Sequence, residues 1–120
     1  MTKHIRLILL LFPTIGGCFS PEKPSLASND PALKIPAMKE VAREHDEKAL
    51  KQLVKDLDSD DPAVRFYAIR TLKEITGESF DYRYYDDEIE RVPALTRWNE
   101  WLAQREGRSP ATTKKGEDGR

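Results

Sequence analysis

An acidic run at residues 58–61, followed by Pro62, divides two stretches with helical periodicity and restricts the fold more than any other feature. Asp61 can accept a backbone N–H as an N-cap, and Pro62 suits the first helical position because its missing N–H would have no partner there. Gly77 can adopt the left-handed conformation that ends a helix. Apolar side chains recur with the spacing of one helix face before the run and after it, at Leu50, Leu53, Val54 and Leu57 and at Val64, Ala68, Leu72 and Ile75. The sequence therefore predicts two amphipathic helices, the second over 62–76, that pack antiparallel.

A third helix is predicted after an aromatic connection at residues 80–87. Its apolar positions predict a helix over 88–105, which Pro93 either kinks or begins. The apolar side chains of this pattern are Ile89, Val92, Leu95, Trp98, Trp101 and Leu102. Residues 39–45 are expected to extend the first helix or to form a short helix ahead of it. The one β-rich window, 80–85, has no second strand to pair with, so the predicted fold class is all-α.

Residues 1–18 are typical of an export signal. Lys3 and Arg6 precede an apolar run at 7–12 that is too short to span a membrane. The sequence Ile15-Gly16-Gly17-Cys18 resembles the lipobox of bacterial lipoproteins, in which an aliphatic residue and two small residues precede a cysteine. This resemblance implies cleavage between Gly17 and Cys18, lipid attachment to the Cys18 thiol, and acylation of the new amino group. The alternatives are an ordinary signal peptide cut elsewhere and a signal anchor with an incidental cysteine.

Composition divides the rest of the chain. Residues 19–36 contain four prolines together with Ser, Asn, Lys and Glu, and residues 107–120 contain three glycines and no large apolar side chain. Both segments are predicted to be disordered because they bury too little apolar surface to offset the entropy of ordering. The predicted organisation is a signal peptide at 1–17, a tether at 18–36, a helical domain at 37–106 and a tail at 107–120.

The two central helices carry a family pattern. The matching residues are Leu57, Asp61, Pro62, Val64, Arg65, Ala68, Leu72 and Ile75. They resemble the turn and second helix of a HEAT-type repeat, although Ser59 stands where an acid is frequent. The resemblance implies a helical hairpin in which Asp61 and Arg65 order the turn and Ala68 allows a close helix crossing.

The segment after this hairpin, residues 76–101, resembles the terminal segment of bacterial HEAT-like proteins, where aromatic side chains seal the last repeat. Asp81 departs from that pattern because a glycine is usual there. Solenoids generally need three or more repeats, so a single hairpin with a C-terminal capping helix would be a minimal version of the fold.

The chemistry of the chain argues against an enzyme. Basic side chains number 20 and acidic ones 21, which excludes a general polyanion binder and gives no reason to expect a nucleic-acid partner. One cysteine and two histidines cannot form a disulfide framework or the usual zinc site. The acids at 56, 58 and 60 have calcium-ligand spacing, but Asp61 and Tyr67 replace the glycine and the glutamate that such a loop needs. We therefore predict no catalytic residues, no metal and no cofactor.

Two other polar clusters have ordinary structural explanations. The acids at 86–90 suit the start of a helix because they complement its dipole, and His45 has no nucleophile to activate. Arg65 and Arg70, with Arg83 nearby, are interpreted as part of a mixed-charge surface.

The aromatic connection supplies the candidate partner-binding residues Tyr82, Tyr84 and Tyr85. The predicted function is a lipoprotein, exported and anchored to a bacterial cell membrane through Cys18, whose HEAT-like domain binds another envelope protein. The alternative is a carbohydrate or cell-wall binding module that uses these tyrosines with Trp98 and Trp101, although aromatics at helical spacing are more often core.

Overall fold

The computed structural model describes residues 21–108. Over that range it contains four α-helices and no strand, which confirms the all-α prediction. The helices are α1 (Pro31–Glu44), α2 (Leu50–Asp56), α3 (Pro62–Thr76) and α4 (Glu88–Arg108), and a short 3₁₀ turn (Glu47–Ala49) leads into α2. None of these helices combines the length and the apolar character needed to cross a bilayer. The predicted lipid attachment at Cys18 and most of the predicted tail lie outside the described residues.

Local capping chemistry sets the helix limits. Asp61 Oδ1 accepts the backbone N–H groups of Ala63 at 2.7 Å and Val64 at 3.3 Å, with Pro62 in the first turn. Gly77, at φ 77°, ends α3 in the left-handed conformation. The predicted limits of the second helix are therefore confirmed, because cap and stop residues act through their immediate neighbours.

The first helix corrects the predicted tether. The sequence places a disordered tether through residue 36 and the start of the domain at 37, whereas α1 begins at Pro31 and contains Pro36. Asp30 caps it by accepting the N–H of Ala32 at 2.9 Å, so the same aspartate-proline pattern that starts α3 also starts α1. Pro36 removes one backbone hydrogen bond, but packing against α3 holds the helix together. Residues 31–36 belong to the folded domain.

The core lies where α3 packs against α1 and α2, and α4 closes one side of it by packing on α2. Its fully buried side chains are Met38, Leu53, Leu57, Ala68, Leu72 and Trp98. Ala68 has no exposed surface and lies among the buried side chains of the core. Met38 comes from α1, and the Thr71 hydroxyl donates to its carbonyl at 3.3 Å.

An edge-on aromatic cluster holds the connection between α3 and α4. Trp98 meets Phe80 at a centroid separation of 4.8 Å and Trp101 at 5.6 Å. Phe80 and Asp81 both have positive φ, at 50° and 58°. Asp81 thus stands in a conformation that favours glycine but that aspartate tolerates, which accounts for the departure noted at this position.

Candidate interaction surface

The three candidate tyrosines lie in different environments. Tyr82 is buried, and its hydroxyl donates to the carbonyl oxygen of Leu57 at 2.5 Å. Tyr84 is half-buried and meets the ring of Phe66 edge-on at 5.0 Å. Tyr85 is 68% exposed. Burial therefore argues against a partner-binding role for Tyr82: its ring belongs to the core, and its hydroxyl satisfies a carbonyl at the end of α2 that the helix leaves unpaired.

Burial of the two tryptophan rings also leaves little exposed ring surface on which a sugar could stack. Trp98 is fully buried and Trp101 is half-buried. A flat-lying sugar needs an exposed ring face, and within the aromatic cluster of the described residues Tyr85 is the ring with the largest exposure. The cluster as a whole is part of the core.

Arg65 joins the hairpin turn to the aromatic connection. Its Nη1 donates to the carbonyls of Ser59 at 2.7 Å and Asp60 at 3.0 Å, and its Nε donates to the carbonyl of Tyr84 at 2.9 Å. Asp61, Pro62 and Arg65 thus have structural positions at the turn between α2 and α3. Because the side chain of Arg65 is buried, it is not part of the mixed-charge surface expected of it, and it fixes the backbone immediately before Tyr85.

The apolar positions that predict α4 divide between its two sides. Its buried residues are Arg91, Ala94 and Trp98, and Leu95, Trp101 and Leu102 pack partly buried against the core, whereas Ile89 and Val92 are 82% and 53% exposed. Arg91 takes the inner position, where its Nη1 donates to the carbonyl of Asp86 at 2.8 Å.

Tyr85, Ile89 and Val92 form what we call the α4 patch. They are the exposed large hydrophobic side chains of residues 21–108, and all three lie within the eight positions 85–92. Exposed acids border the patch at Asp87, Glu88 and Glu90. Arg83 adds a cation beside them, with its guanidinium carbon 6.0 Å from the Tyr85 ring centroid. Exposed apolar side chains with charged neighbours make this stretch the candidate protein-binding surface of the described residues.

A buried ion pair joins α1 to α2. Lys34 Nζ lies 2.6 Å from Asp56 Oδ1, and Gln52 Nε2 donates to the same oxygen at 3.0 Å. Asp56 is therefore a buried partner in an ion pair. Sequence reasoning missed the pair because Lys34 falls in the segment predicted to be a tether, and the signal available was the aspartate-proline helix start at residues 30–31.

Burial raises the pKa of the Tyr82 phenol from 10.0 to about 12, since the phenolate would lose its hydration, while the nearby cations Arg91 and Arg65 oppose the rise. In the unfolded chain the phenol ionises near pH 10. Between pH 10 and about 12 the unfolded chain therefore releases a proton that the folded chain keeps. This contribution to the free energy of unfolding is complete below pH 10 and is lost as the pH rises through that window.

We expect Tyr82→Phe to flatten this decline of stability with pH. Urea unfolding followed by far-UV circular dichroism, at several pH values across the window, measures it. Tyr85→Phe, which alters a largely exposed ring, tests whether the removal of any tyrosine has the same effect. Equal pH slopes for the wild type and Tyr82→Phe would contradict the prediction.

Within residues 21–108 no group of three histidine, cysteine, aspartate or glutamate side chains has a geometry that could hold a metal ion. His45 is exposed and ends α1 at φ 51°.

No family model, curated protein or solved structure matches the chain. The chemistry of the exposed surface is therefore the basis for inferring a function.

Proposed function

We propose that the chain is an exported lipoprotein, anchored to a bacterial membrane through Cys18, whose small HEAT-like helical domain binds another protein of the cell envelope. The α4 patch is the observation that supports the binding role. An exposed tyrosine beside two exposed aliphatic side chains is unfavourable in water, and burying such side chains contributes about 1.5–3 kcal/mol each. Tyrosine is also among the residues that most often dominate binding energy.

The rim of the patch indicates the character of the partner. The exposed charged residues beside the patch in the sequence are mainly acidic, at Asp87, Glu88 and Glu90, while Arg83 lies over the Tyr85 ring. A partner with an apolar strip flanked by Lys or Arg would bury the centre and pair its rim charges. A sugar ring would leave Ile89 and Val92 without an apolar contact, so the patch favours a protein partner over the carbohydrate alternative.

The position of the domain relative to Cys18 supports the tether. Leu26 packs against the core, and the Ser25 N–H donates to the carbonyl of Leu33 at 3.1 Å. Residues 19–24 therefore separate the proposed lipid from the folded part. Even fully extended, at about 3.3–3.6 Å per residue, this spacer spans only about 20 Å. A lipid on Cys18 would place the domain next to a membrane, where an envelope partner would meet it.

The hairpin supports the HEAT-like assignment of the domain. The turn between α2 and α3 uses Asp61, Pro62 and Arg65, and Ala68 is fully buried. The resemblance implies that Asp61 and Arg65 order this turn, and their hydrogen bonds to the turn support that role. Around the hairpin, α1 packs on α3 and α4 packs on α2.

Two variants test the two halves of this proposal in one experiment. In native membranes, Cys18→Ser is expected to move the protein to the soluble fraction and to abolish lipid labelling. Ile89→Asp/Val92→Asp is expected to leave the protein in the membrane fraction but to abolish its chemical cross-links to a defined partner. Cell fractionation and cross-linking mass spectrometry measure both effects.

Lys48→Glu is the matched control, because it changes the charge of an exposed residue away from the patch. This variant should stay in the membrane fraction and should keep its cross-links to the partner. Membrane retention of Cys18→Ser with an unchanged lipid label would refute the anchor, and unchanged cross-links for the patch variant would refute the binding surface.

A further inference from the structure

A groove between α1 and α3 lies apart from the α4 patch and carries a different chemistry. Its volume is about 550 Å³, and its walls include Lys39 and Arg43 from α1 and Tyr67, Arg70 and Glu74 from α3. Three cations and one acid line the groove, although the whole chain has a net charge of −1. The charge is therefore concentrated locally.

The cations of the groove are available to a ligand. Among the ion pairs of residues 21–108, neither Lys39 nor Arg70 has a carboxylate within 4.0 Å. Lys39 Nζ lies 4.9 Å from the ring centroid of Tyr67. That cation–π contact positions the ammonium, but it provides no conventional hydrogen-bond acceptor for the N–H groups of Lys39. Arg43 pairs with Glu40, but both side chains are largely exposed, and such a pair contributes only about 0–1 kcal/mol.

The donor set matches a phosphate group. Two guanidinium groups offer planar, paired N–H donors, and the ammonium adds a compact point charge. Lys39 and Arg43 come from one wall of the groove and Arg70 from the other, so a phosphate in the groove would have cationic donors on both sides.

From this arrangement we propose that the groove of Lys39, Arg43 and Arg70 binds the phosphate group of an anionic ligand. The phosphate can belong to a phospholipid headgroup or to a small soluble molecule. The inference is independent of the lipid anchor and of the α4 patch, since it uses neither Cys18 nor any patch residue.

The test uses the full chain carrying Cys18→Ser, so that no acyl group contributes to binding. Co-sedimentation is measured with vesicles of phosphatidylcholine alone and with vesicles of phosphatidylcholine and phosphatidylglycerol in equal parts. Inorganic phosphate is titrated separately while the amide NMR signals of Tyr67 and Arg70 are followed. Binding to the anionic vesicles is expected, and Lys39→Glu/Arg70→Glu should weaken it by about tenfold or more.

Lys48→Glu/Lys51→Glu is the control, because it makes the same change of net charge outside the groove. It should keep most of the binding. Lys39→Gln/Arg70→Gln removes the two charges without adding acids, so it tests the site even if the charge-reversed variant fails to fold. Phosphate-dependent NMR shifts at Tyr67 and Arg70 without vesicle binding would support the groove with a soluble ligand. An equal loss in the control, or no response to either probe, would overturn the proposal.

Discussion

Replacement of Lys34 by methionine is expected to lower the free energy of unfolding by about 3–5 kcal/mol, because it leaves a buried carboxylate without its cation. The side chains of Lys34 and Asp56 are only 9% and 5% exposed. After the change, Gln52 would be the remaining donor to Asp56 Oδ1. The second carboxylate oxygen, Oδ2, is buried and has no hydrogen-bond partner within residues 21–108. Urea unfolding followed by far-UV circular dichroism measures the loss.

Two further variants separate the lost ion pair from lost packing. Lys34→Met/Asp56→Leu removes both charges, so it should recover most of the stability, since apolar replacements of a buried pair are often neutral or stabilising. Lys51→Met breaks the exposed pair with Glu106, whose atoms are 3.8 Å apart, and should change stability by less than about 1 kcal/mol. A Lys34→Met variant as stable as Lys51→Met would show that Asp56 is not held by Lys34.

This ion pair explains why the first helix could be predicted only in part. The prolines at 31 and 36 favour a tether when composition alone is considered. Asp30 and Pro31 have the same capping chemistry as Asp61 and Pro62, but no apolar stripe as clear as that of α3 follows them. Packing against α3 and the contact between Lys34 and Asp56, 22 positions apart, stabilise the helix. Such long-range contacts leave no local signal in the sequence.

Local signals were sufficient where a helix end depends on its immediate neighbours. Asp61, Pro62 and Gly77 act within one turn, so the sequence predicts the limits of α3 correctly. The range of α4 was also predicted closely, with Pro93 inside the helix rather than at its start. Its rotation about its own axis was not predicted. The aliphatic character of Ile89 and Val92 favours burial, but the core side of α4 is set by Trp98 and by the backbone carbonyl that receives Arg91.

The same rotation determines the candidate site. With Trp98 facing inward, Ile89 and Val92, three positions apart on the helix, become exposed. Tyr85, which precedes α4, completes the α4 patch. The sequence identified Tyr85 because it marked the aromatic connection as a partner surface. It missed Ile89 and Val92 because exposed aliphatic side chains cannot be distinguished from buried ones without knowing where the helix packs.

Replacement of Trp98 by alanine is expected to cost about 3–5 kcal/mol of unfolding free energy. Trp98 is fully buried, and it contacts both Phe80 and Trp101 edge-on. Its loss would leave a large cavity between α4 and the aromatic connection. Urea unfolding should be followed by far-UV circular dichroism. Tryptophan fluorescence is unsuitable because the substitution itself removes one of the fluorophores.

Trp98→Phe and Trp101→Ala are the matched controls. The Trp98 indole Nε1 is buried without a hydrogen-bond partner among the described residues, so phenylalanine loses volume but no hydrogen bond and should cost less than alanine. Trp101 is half-buried, and its removal should also cost less. A larger loss for Trp101→Ala than for Trp98→Ala would contradict the core role of Trp98.

The effect of Trp98→Ala should extend to the α4 patch. Phe80 has a left-handed backbone conformation that is unfavourable for a bulky residue, and its ring is packed against Trp98. Without the indole, the connection that carries Tyr85 loses this support while Ile89 and Val92 remain unchanged. The yield of cross-links between the Trp98→Ala variant and the partner is therefore expected to fall, even under conditions in which the helix content of the variant is preserved. Retained cross-linking under those conditions would show that Ile89 and Val92 suffice for binding without a positioned Tyr85.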